Sequence, residues 1–276
     1  MHTLNCKGKI LSLEKPVVMG ILNITSDSFY SGYLGQEEEV ILSIAADMMN
    51  KGAAIIDVGG QSTRPGSTLL SVAEESDRVL PVIEKISRNF PDAVLSIDTF
   101  YSAVAKNAVA AGARMVNDVS AGNMDAAMIP TVGSLHVPYV CMHMQGTPQT
   151  MQDNPHYENV TTEILDFFIR KTEECRLAGI NDVIIDPGFG FGKTTRHNFK
   201  LLKELDIFKM LNRPILAGLS RKGMVYRSLG TDARQALNGT TVLNSLALQK
   251  GASILRVHDV KEAVEAITLT ELYNNA

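Results

Sequence analysis

The ten residues from Lys51 to Gly60, KGAAIIDVGG, carry the pattern that decides the fold of this 276-residue chain. A helix-like stretch ends at Gly52, an apolar run follows at once, and Asp57 stands where that run ends. Glycine is the usual residue in the left-handed turn that closes a helix, and a short continuous apolar run is typical of a strand buried on both faces. The stretch therefore predicts a helix that passes through a tight turn into a buried strand.

The same pattern occurs three more times along the chain. Gly112 precedes ARMVNDVS, Gly179 precedes INDVIIDPG, and Gly251 precedes ASILRVHD. With the other apolar runs, this predicts strands near 17–22, 54–58, 93–97, 114–116, 138–142, 182–185, 214–217 and 253–257. Helices are predicted near 36–51, 73–89, 102–111, 123–132, 157–178, 197–210, 233–250 and 259–273. Strict alternation of strands and helices implies parallel strands joined by right-handed crossovers.

Eight such units favour a closed (β/α)₈ TIM barrel over an open doubly wound sheet. The chain length is close to the roughly 250 residues typical of such a barrel. A doubly wound sheet would carry a glycine fingerprint after its first strand, whereas VVMGILN (17–23) runs into ITSDSFYSGY without one. We therefore predict a single α/β domain over 1–276, with an N-terminal β-hairpin over 1–15 and the barrel over 16–276.

Composition excludes several classes of protein. A formal net charge of −4 and a pI near 5.9 argue against a nucleic-acid partner. No apolar run approaches the roughly 18 residues that a membrane span needs, and the first residues do not form a signal peptide. Cys6, Cys141 and Cys175 lie far apart and form no C-x-x-C pair, which fits a reducing compartment. We expect a cytoplasmic protein.

Nearly every predicted strand ends in a polar or charged side chain. In a barrel these carboxyl ends meet on one face, the face on which active sites are built. Each residue also has a local explanation, since an Asp after a strand often caps a helix or starts a turn, and His143 and His258 could be structural. Asp118 and Asp259 look more like capping residues than catalysts. The set as a whole predicts a site, and it comprises Asn23, Asp57, Asp98, Asn117, Asp118, His143, Asp186, Arg256 and His258.

Two segments suggest phosphate binding. GFGFGKT (188–194) resembles a P-loop, but that motif needs glycine at the position of Pro187, so we predict that Lys193 is a solvated loop residue. GGQSTRPGS (59–67) combines glycines, hydroxyls and Arg64. Together with Arg221 and Arg256, Arg64 could balance the charge of a phosphate group.

The carboxylates suggest a second half of the ligand. Buried aspartates beside an asparagine suit a neutral ring that presents amino and imino N–H groups, because one carboxylate can accept two parallel hydrogen bonds. A 2-aminopyrimidinone has such an edge, and Lys222 could meet its carbonyl oxygen. The sequence therefore predicts a small molecule with a heterocyclic ring and a phosphate ester.

Seven motifs carry a resemblance to a known family. They are MGILNITSDSFY (19–30), DVGGQSTRPGS (57–67), SIDTF (96–100), VNDVS (116–120), IIDPGFGFGK (184–193), GLSRKG (218–223) and LRVHDV (255–260). In this order and spacing the chain resembles dihydropteroate synthases from about Pro16 to its last helix. The resemblance implies a barrel enzyme, usually a homodimer, that condenses 6-hydroxymethyl-7,8-dihydropterin diphosphate with p-aminobenzoate and releases pyrophosphate. It also implies that sulfonamides compete with p-aminobenzoate.

The resemblance also implies a role for each matched residue. The pterin would be bound by Asp98, Asn117, Met142, Asp186, Phe191, Gly218 and Lys222. The diphosphate would be bound by Asn23, Thr63, Arg64, Arg256 and His258, with Asn23 also binding the cofactor Mg²⁺. The p-aminobenzoate would lie near Thr63, Phe191, Ser220 and Arg221, and Asp57 would order the loops. The catalytic set would be Asp98, Lys222, Arg256 and His258, acting in a dissociative reaction under the closed loops 23–35 and 59–70.

The first loop departs from the family pattern. Ser26 stands where the family usually has proline, and Tyr30-Ser31-Gly32-Tyr33 replaces a Ser-Asp-Gly-Gly run. Because proline restricts the open loop, we expect Ser26 to make closure entropically costlier. Two alternative functions remain: a pterin-binding methyltransferase of the same barrel type, and a non-catalytic pterin-binding paralogue. Neither would need Arg64, Lys222 and the Arg-x-His end of the last strand to bind pyrophosphate.

Overall fold

The computed structural model describes residues 2–24, 34–61 and 68–276, except for the side chains of 34–38. The chain opens with an antiparallel hairpin of β1 (Thr3–Cys6) and β2 (Lys9–Ser12). Lys7 and Gly8 form its turn with φ of 54° and 89°, as a two-residue hairpin turn requires. The predicted N-terminal hairpin is confirmed.

The remaining strands form an eight-stranded parallel sheet within the described residues. They are β3 (Val17–Asn23), β4 (Ala53–Gly59), β5 (Leu95–Asp98), β6 (Met115–Asp118), β7 (Tyr139–Met142), β8 (Val183–Asp186), β9 (Leu216–Ala217) and β10 (Ile254–Val257). Their order in the sheet is β8-β7-β6-β5-β4-β3-β10-β9. A single parallel bridge between Ile185 and Ile215 joins the two ends, so the sheet is a nearly closed barrel, as predicted.

Helices cover the outside of the barrel. They are α1 (Leu34–Asn50), α2 (Val72–Asn89), α3 (Ser102–Ala111), α4 (Met128–Leu135), α5 (Val160–Leu177), α6 (Thr195–Lys203), α7 (Gly223–Tyr226), α8 (Leu237–Gln249) and α9 (Val260–Asn274). The four glycines that precede strands, Gly52, Gly112, Gly179 and Gly251, have φ between 84° and 124°. The left-handed turns inferred from the repeated pattern are therefore present.

Two predicted helices have different bounds in the structure. The helix expected near 123–132 begins only at Met128, because Asp125 holds the chain in a turn, with its carboxylate accepting from the Ala127 N–H and its carbonyl oxygen from the Met128 N–H. The helix expected near 197–210 ends at Lys203 and continues as a 3₁₀-helix over Leu205–Leu211. The short helix α7 was not predicted.

Apolar packing separates the two ends of the barrel. Leu4, Cys6 and Leu13 of the hairpin region pack with inward-facing strand residues such as Met19 and Ile184, and so the hairpin closes the amino-terminal end. A larger cluster lies between the strands and the surrounding helices. This leaves the carboxyl end of the barrel, which we call the mouth, for polar chemistry. Within the described ranges, none of the helices has the length and apolarity needed to cross a bilayer.

Candidate active site at the mouth of the barrel

Strand pairing places the predicted polar residues at one level of the mouth. Asn23 is aligned with Gly59, Gly59 with Asp98, and Asp98 with Asn117. Asp186 ends β8, where it is aligned with Met142. Because these strands are parallel and in this register, the residues at their ends meet around one opening, as the sequence predicted.

Arg256 ties the carboxylates of the mouth together. Its Nε donates to Asp57 Oδ2 at 2.7 Å, and its Nη2 donates to Asp98 Oδ2 at 2.7 Å. The Asn117 side-chain amide donates to the same Asp57 oxygen at 2.8 Å. Asp57 is fully buried, and its Oδ1 has no hydrogen-bond partner among the described residues. One guanidinium thus balances two carboxylates that water cannot fully solvate.

The mouth is strongly perturbed electrostatically. Burial raises the pKa of Asp98 to about 7, the charge of Arg256 opposes that rise, and the carboxylate of Asp57 adds to it. Burial also raises the pKa of Asp186, against the opposing charge of Lys222. Shifts of this kind in a concave site are typical of groups that bind or transform a ligand.

Lys222 follows β9, the strand that neighbours β10 and its Arg256 network. Its Nζ donates to the Phe189 carbonyl oxygen and stands 4.7 Å from the centre of the Phe191 ring. Burial lowers the pKa of Lys222 to about 8, while the nearby Asp186 opposes this change. A Cβ at Gly218 would lie 3.6 Å from Lys222 Nζ and 3.9 Å from Asp186 Oδ2. Gly218 therefore leaves open the space between the cation and the carboxylate.

An apolar platform adjoins that space. Met142 is buried in a cluster with Phe100, Val119, Met144 and Met151, and Phe191 packs against this cluster. The predicted ring-lining residues Met142 and Phe191 are therefore brought together. A flat heterocycle resting on such a platform would present its polar edge to the carboxylates beside it.

Ser220 and His258 form a hydrogen-bonded pair at the rim. The His258 backbone N–H donates to Ser220 Oγ at 3.2 Å, and the hydroxyl lies 3.0 Å from His258 Nδ1. Partial burial and the charge of Arg256 lower the pKa of His258. In the tautomer of the neutral imidazole that carries its proton on Nε2, Nδ1 accepts from the serine hydroxyl. His258 is exposed, so this N–H is available to a ligand.

Arg221 is brought to the mouth but is already paired. Its guanidinium forms a two-point ion pair with Asp259, with distances of 2.9 and 2.7 Å. It also donates to the carbonyl oxygens of Ala233 and Arg234. Asp259 stands at the N-cap position of α9, as expected of a residue at a helix entry, although its side chain makes no capping hydrogen bond. Asp118 does stabilise a turn, and it also accepts a hydrogen bond from the Tyr139 hydroxyl.

The position of Lys193 contradicts a prediction made from the sequence. It was expected in solvent, yet it is only 3% exposed. Its ammonium donates to the carbonyl oxygens of Gly188 and Phe191, each at 2.9 Å, and contacts His143 Nδ1 at 3.0 Å. The glycine-rich segment that precedes it folds back over the side chain. Only this tertiary arrangement shows that the lysine is buried.

Glu75 is a second residue that the sequence analysis missed. It lies fully buried in α2, at the base of the loop that follows β4, and a Cβ at Gly60 would lie 3.3 Å from its Cγ. Burial raises its pKa to about 7, and neither of its carboxylate oxygens has a hydrogen-bond partner among the described residues. Its place in the amphipathic pattern of α2, where Val79, Val82, Ile83 and Ile86 are also buried, was the available indication.

Some predicted residues lie outside the described part of the chain. These are Thr63 and Arg64, together with Ser26 and Tyr30–Tyr33 in the first loop. Asn23 is described, and it is exposed at the end of β3. Its neighbour in the register, Gly59, begins the second loop.

Comparison with known proteins gives a consistent result. Residues 19–258 match the family described as "Pterin binding enzyme". The dihydropteroate synthase of Escherichia coli K12 is 42% identical over 269 residues, which cover 96% of this chain and 94% of that one. A crystal structure of Yersinia pestis dihydropteroate synthase with a sulfonamide drug superposes with a TM-score of 0.93, at 40% identity and full coverage of both chains. The Xanthomonas albilineans enzyme in complex with 7,8-dihydropteroate superposes with a TM-score of 0.89, at 38% identity and full coverage of both.

Proposed function

The chain belongs to the dihydropteroate synthase family of pterin-binding enzymes, and on that premise we propose how the residues of its mouth divide the reaction between them. The reaction joins 6-hydroxymethyl-7,8-dihydropterin diphosphate to p-aminobenzoate and gives 7,8-dihydropteroate and pyrophosphate. The observation that carries the division is the arrangement of Arg256. Its guanidinium is paired with the carboxylates of Asp57 and Asp98, and its charge also acts on His258 of the Ser220–His258 pair, which is suited to an anion.

The ring side comprises Asp98, Asn117, Asp186 and Lys222. Asp186 accepts the amino and imino N–H groups of the pterin, and Lys222 donates to the ring carbonyl oxygen. The platform of Met142 and Phe191 supports the flat face. A bound ring donates hydrogen bonds to the buried carboxylate oxygens. This gain on binding explains why the free protein keeps these oxygens away from water although their desolvation is unfavourable.

The leaving-group side comprises Asn23, Arg256 and His258, with Thr63 and Arg64 assigned to it by the family pattern. The bond from the pterin methylene to the diphosphate oxygen breaks first, and its electron pair leaves with that oxygen. The neutral His258 donates from Nε2, and Arg256 adds positive charge to the departing group. The arylamine nitrogen then attacks the methylene carbon and loses a proton. Asp98 stabilises the positive charge that spreads over the ring between these two steps.

The donors at the mouth also fit Mg²⁺. This ion usually takes one or two protein oxygens and completes its shell with substrate phosphate and water. The exposed Asn23 amide oxygen is such a donor, and the described residues contain no group of three acidic, histidine or cysteine side chains that would form an all-protein cage. When bound, Mg²⁺ supplies positive charge to the diphosphate.

The remaining predicted contacts concern p-aminobenzoate and the loops. Ser220 lies at the rim beside His258, and Phe191 lies at the edge of the platform, so both can border an arylamine entering from solvent. Arg221 directly follows Ser220, but Asp259 holds its guanidinium and Thr240 accepts from its backbone N–H. The unpartnered Asp57 Oδ1 is available to a donor from the loop after β4, which supports its predicted role in ordering that loop. Sulfonamides are expected to compete for the same space.

Incubation of the purified protein with the pterin diphosphate, p-aminobenzoate and Mg²⁺ tests the function. We expect pyrophosphate release that requires all three components and stops when EDTA is added. Absence of turnover with micromolar enzyme would overturn the proposal. Ligand binding without turnover would favour the non-catalytic paralogue, and methyl transfer from methyltetrahydrofolate to a corrinoid would favour the methyltransferase.

An exposed apolar surface on α8 and α9 supports the predicted homodimer. Val242 and Leu246 on α8 are exposed, as are Leu269, Leu272 and Tyr273 on α9. A groove of about 880 Å³ runs between the two helices. Of these side chains, Leu269 and Tyr273 line the groove. Exposed apolar surface of this kind often marks an interface, and a second copy of the chain is the occupant that the family pattern implies.

Leu269→Asp combined with Leu272→Asp is expected to convert a dimer into a monomer, because both charges would be buried in the interface. Light scattering after size-exclusion chromatography measures the mass directly. Leu177→Asp is the matched control, because Leu177 is 72% exposed but lies on α5. A dimer that persists in the double variant would place the interface elsewhere.

The free, buried thiols of Cys6, Cys141 and Cys175 support the proposed cytoplasmic location.

A further inference from the structure

The loop from Pro187 to Lys193, which we call the glycine loop, joins β8 to α6 in an unusual conformation. Gly188, Gly190 and Gly192 have φ of 69°, 84° and 61°, a region that other residues enter only at a cost. The loop also packs closely on its neighbours. A Cβ at Gly188 would lie 1.9 Å from the His143 carbonyl oxygen. The alternating glycines therefore allow the loop to fold tightly against the end of β7.

Each carbonyl oxygen of the glycine loop from Gly188 to Gly192 accepts a hydrogen bond. Lys193 donates to Gly188 and Phe191, and Lys222 donates to Phe189. Gln152 donates to Gly190 at 2.8 Å, and the Tyr157 hydroxyl donates to Gly192 at 2.9 Å. Two of the donors are therefore ammonium groups, and both contact the loop from inside the protein.

This arrangement is the electrostatic reverse of a P-loop. A P-loop points backbone N–H groups at an anion, whereas the N–H groups of Gly188 and Gly190 here donate to Asp186 and Asn198, each at 2.7 Å. The resemblance of GFGFGKT to a phosphate-binding motif thus has a different physical basis. The glycines allow carbonyl oxygens, not N–H groups, to converge on charge.

Lys193 is held without an ion pair among the described residues. No carboxylate oxygen comes within 4.0 Å of its Nζ in the described ranges, and its partners are the loop carbonyls and His143 Nδ1. Burial lowers the pKa of Lys193 well below its ordinary value, and burial followed by the Lys193 charge lowers that of His143. His143 in its neutral form accepts this hydrogen bond at Nδ1, a buried contact that favours the structural alternative for this residue. Burying an ammonium group without an ion pair destabilises the folded state. We therefore expect the geometry that Lys193 enforces to be needed for function.

We propose that Lys193 is a positioning residue for the pterin pocket. By drawing the Gly188 and Phe191 carbonyls onto one ammonium, it fixes the Phe189 carbonyl and the Phe191 ring against which Lys222 is held. Lys193 thereby sets the position of the cation that meets the ring carbonyl, although it does not contact the ligand itself. The inference rests on the proposed function, since it concerns the same pterin.

Lys193→Met tests the inference through two binding measurements on the same protein. Calorimetry with the pterin diphosphate, without p-aminobenzoate, is expected to show about tenfold weaker binding than in the wild type. Calorimetry with inorganic pyrophosphate is expected to show no change, because Arg256 and His258 do not contact the glycine loop. General loosening of the fold would weaken both ligands alike. Lys203→Met, a change at an exposed lysine on the neighbouring helix α6, is the matched control.

Two further variants keep the test decisive. If Lys193→Met fails to fold, Tyr157→Phe removes only the hydroxyl that holds Gly192 and is expected to weaken the pterin selectively, by about twofold to fivefold. In a Phe191→Leu background, Lys193→Met should lose much of its effect, because both changes act through the same platform. Wild-type affinity for the pterin diphosphate in Lys193→Met, or an equal loss for pyrophosphate, would overturn the inference. Turnover of the wild-type enzyme tests the proposed function separately.

Discussion

Lys222→Ala is expected to lower the turnover of dihydropteroate by at least about a thousandfold, the effect of removing a charged donor from a desolvated site. The side chain is held between the Phe189 carbonyl and the Phe191 ring, so no other described ammonium can take its place. Its removal also leaves Asp186 with less compensating charge. Pyrophosphate release under saturating substrates measures the loss, and circular dichroism checks that the fold is retained.

The protonation of Lys222 adds a second observable to this prediction. Because its pKa is lowered to about 8, kcat/KM of the wild type should fall as the pH rises through about 8, where the ammonium loses its proton. Lys261→Ala is the control, since Lys261 is exposed on α9 and its one ion pair among the described residues is with Glu265. Near-wild-type turnover in Lys222→Ala would show that the pterin site has been misplaced.

Arg256→Leu is expected to cost about 3–5 kcal/mol of unfolding free energy in addition to activity. The reason is that it leaves Asp57 and Asp98 as uncompensated buried carboxylates. The side chain of Asp57 is fully buried and that of Asp98 is 11% exposed, so solvent screening is weak. Urea denaturation at pH 7 measures the change. Arg176→Leu is the matched control, because its pair with Glu173 is exposed and such pairs contribute little.

The pH dependence of this variant has a definite sign. Without Arg256 the folded state takes up protons on Asp98 at a higher pH than the unfolded chain does, so the folded protein binds more protons in that range. The pKa of Asp98 is about 7 in the presence of Arg256, whose charge lowers it. In the variant, stability must therefore rise as the pH falls from above 7 towards the ordinary carboxyl pKa of about 4. Adding Asp98→Asn to the variant should restore part of the loss at pH 7. Full stability in Arg256→Leu would show that the two carboxylates are compensated by other groups.

Much of the fold was predictable because its causes are local. The turn glycines before β4, β6, β8 and β10 and the apolar runs that follow them act over a few residues, and all four turns are present. The start of α4 was misplaced because it depends on a side chain, Asp125, that captures the backbone N–H groups of Ala127 and Ser102. Such a competition between side chain and helix cannot be resolved from apolar periodicity.

In the candidate site, too, some features follow from the sequence alone and others only from the tertiary structure. The sequence alone determined which residues stand at the ends of the strands, since strand order and parallel direction follow from the repeated units, and it thereby placed Asp98, Asn117 and Asp186 at one mouth. Only the tertiary structure decided where the cations point. Arg221 turns to Asp259, Arg256 joins Asp57 to Asp98, and Lys193 enters the interior. A long, flexible side chain can contact residues that lie far from it in the sequence. Which of them it contacts depends on burial and charge balance between distant segments of the chain.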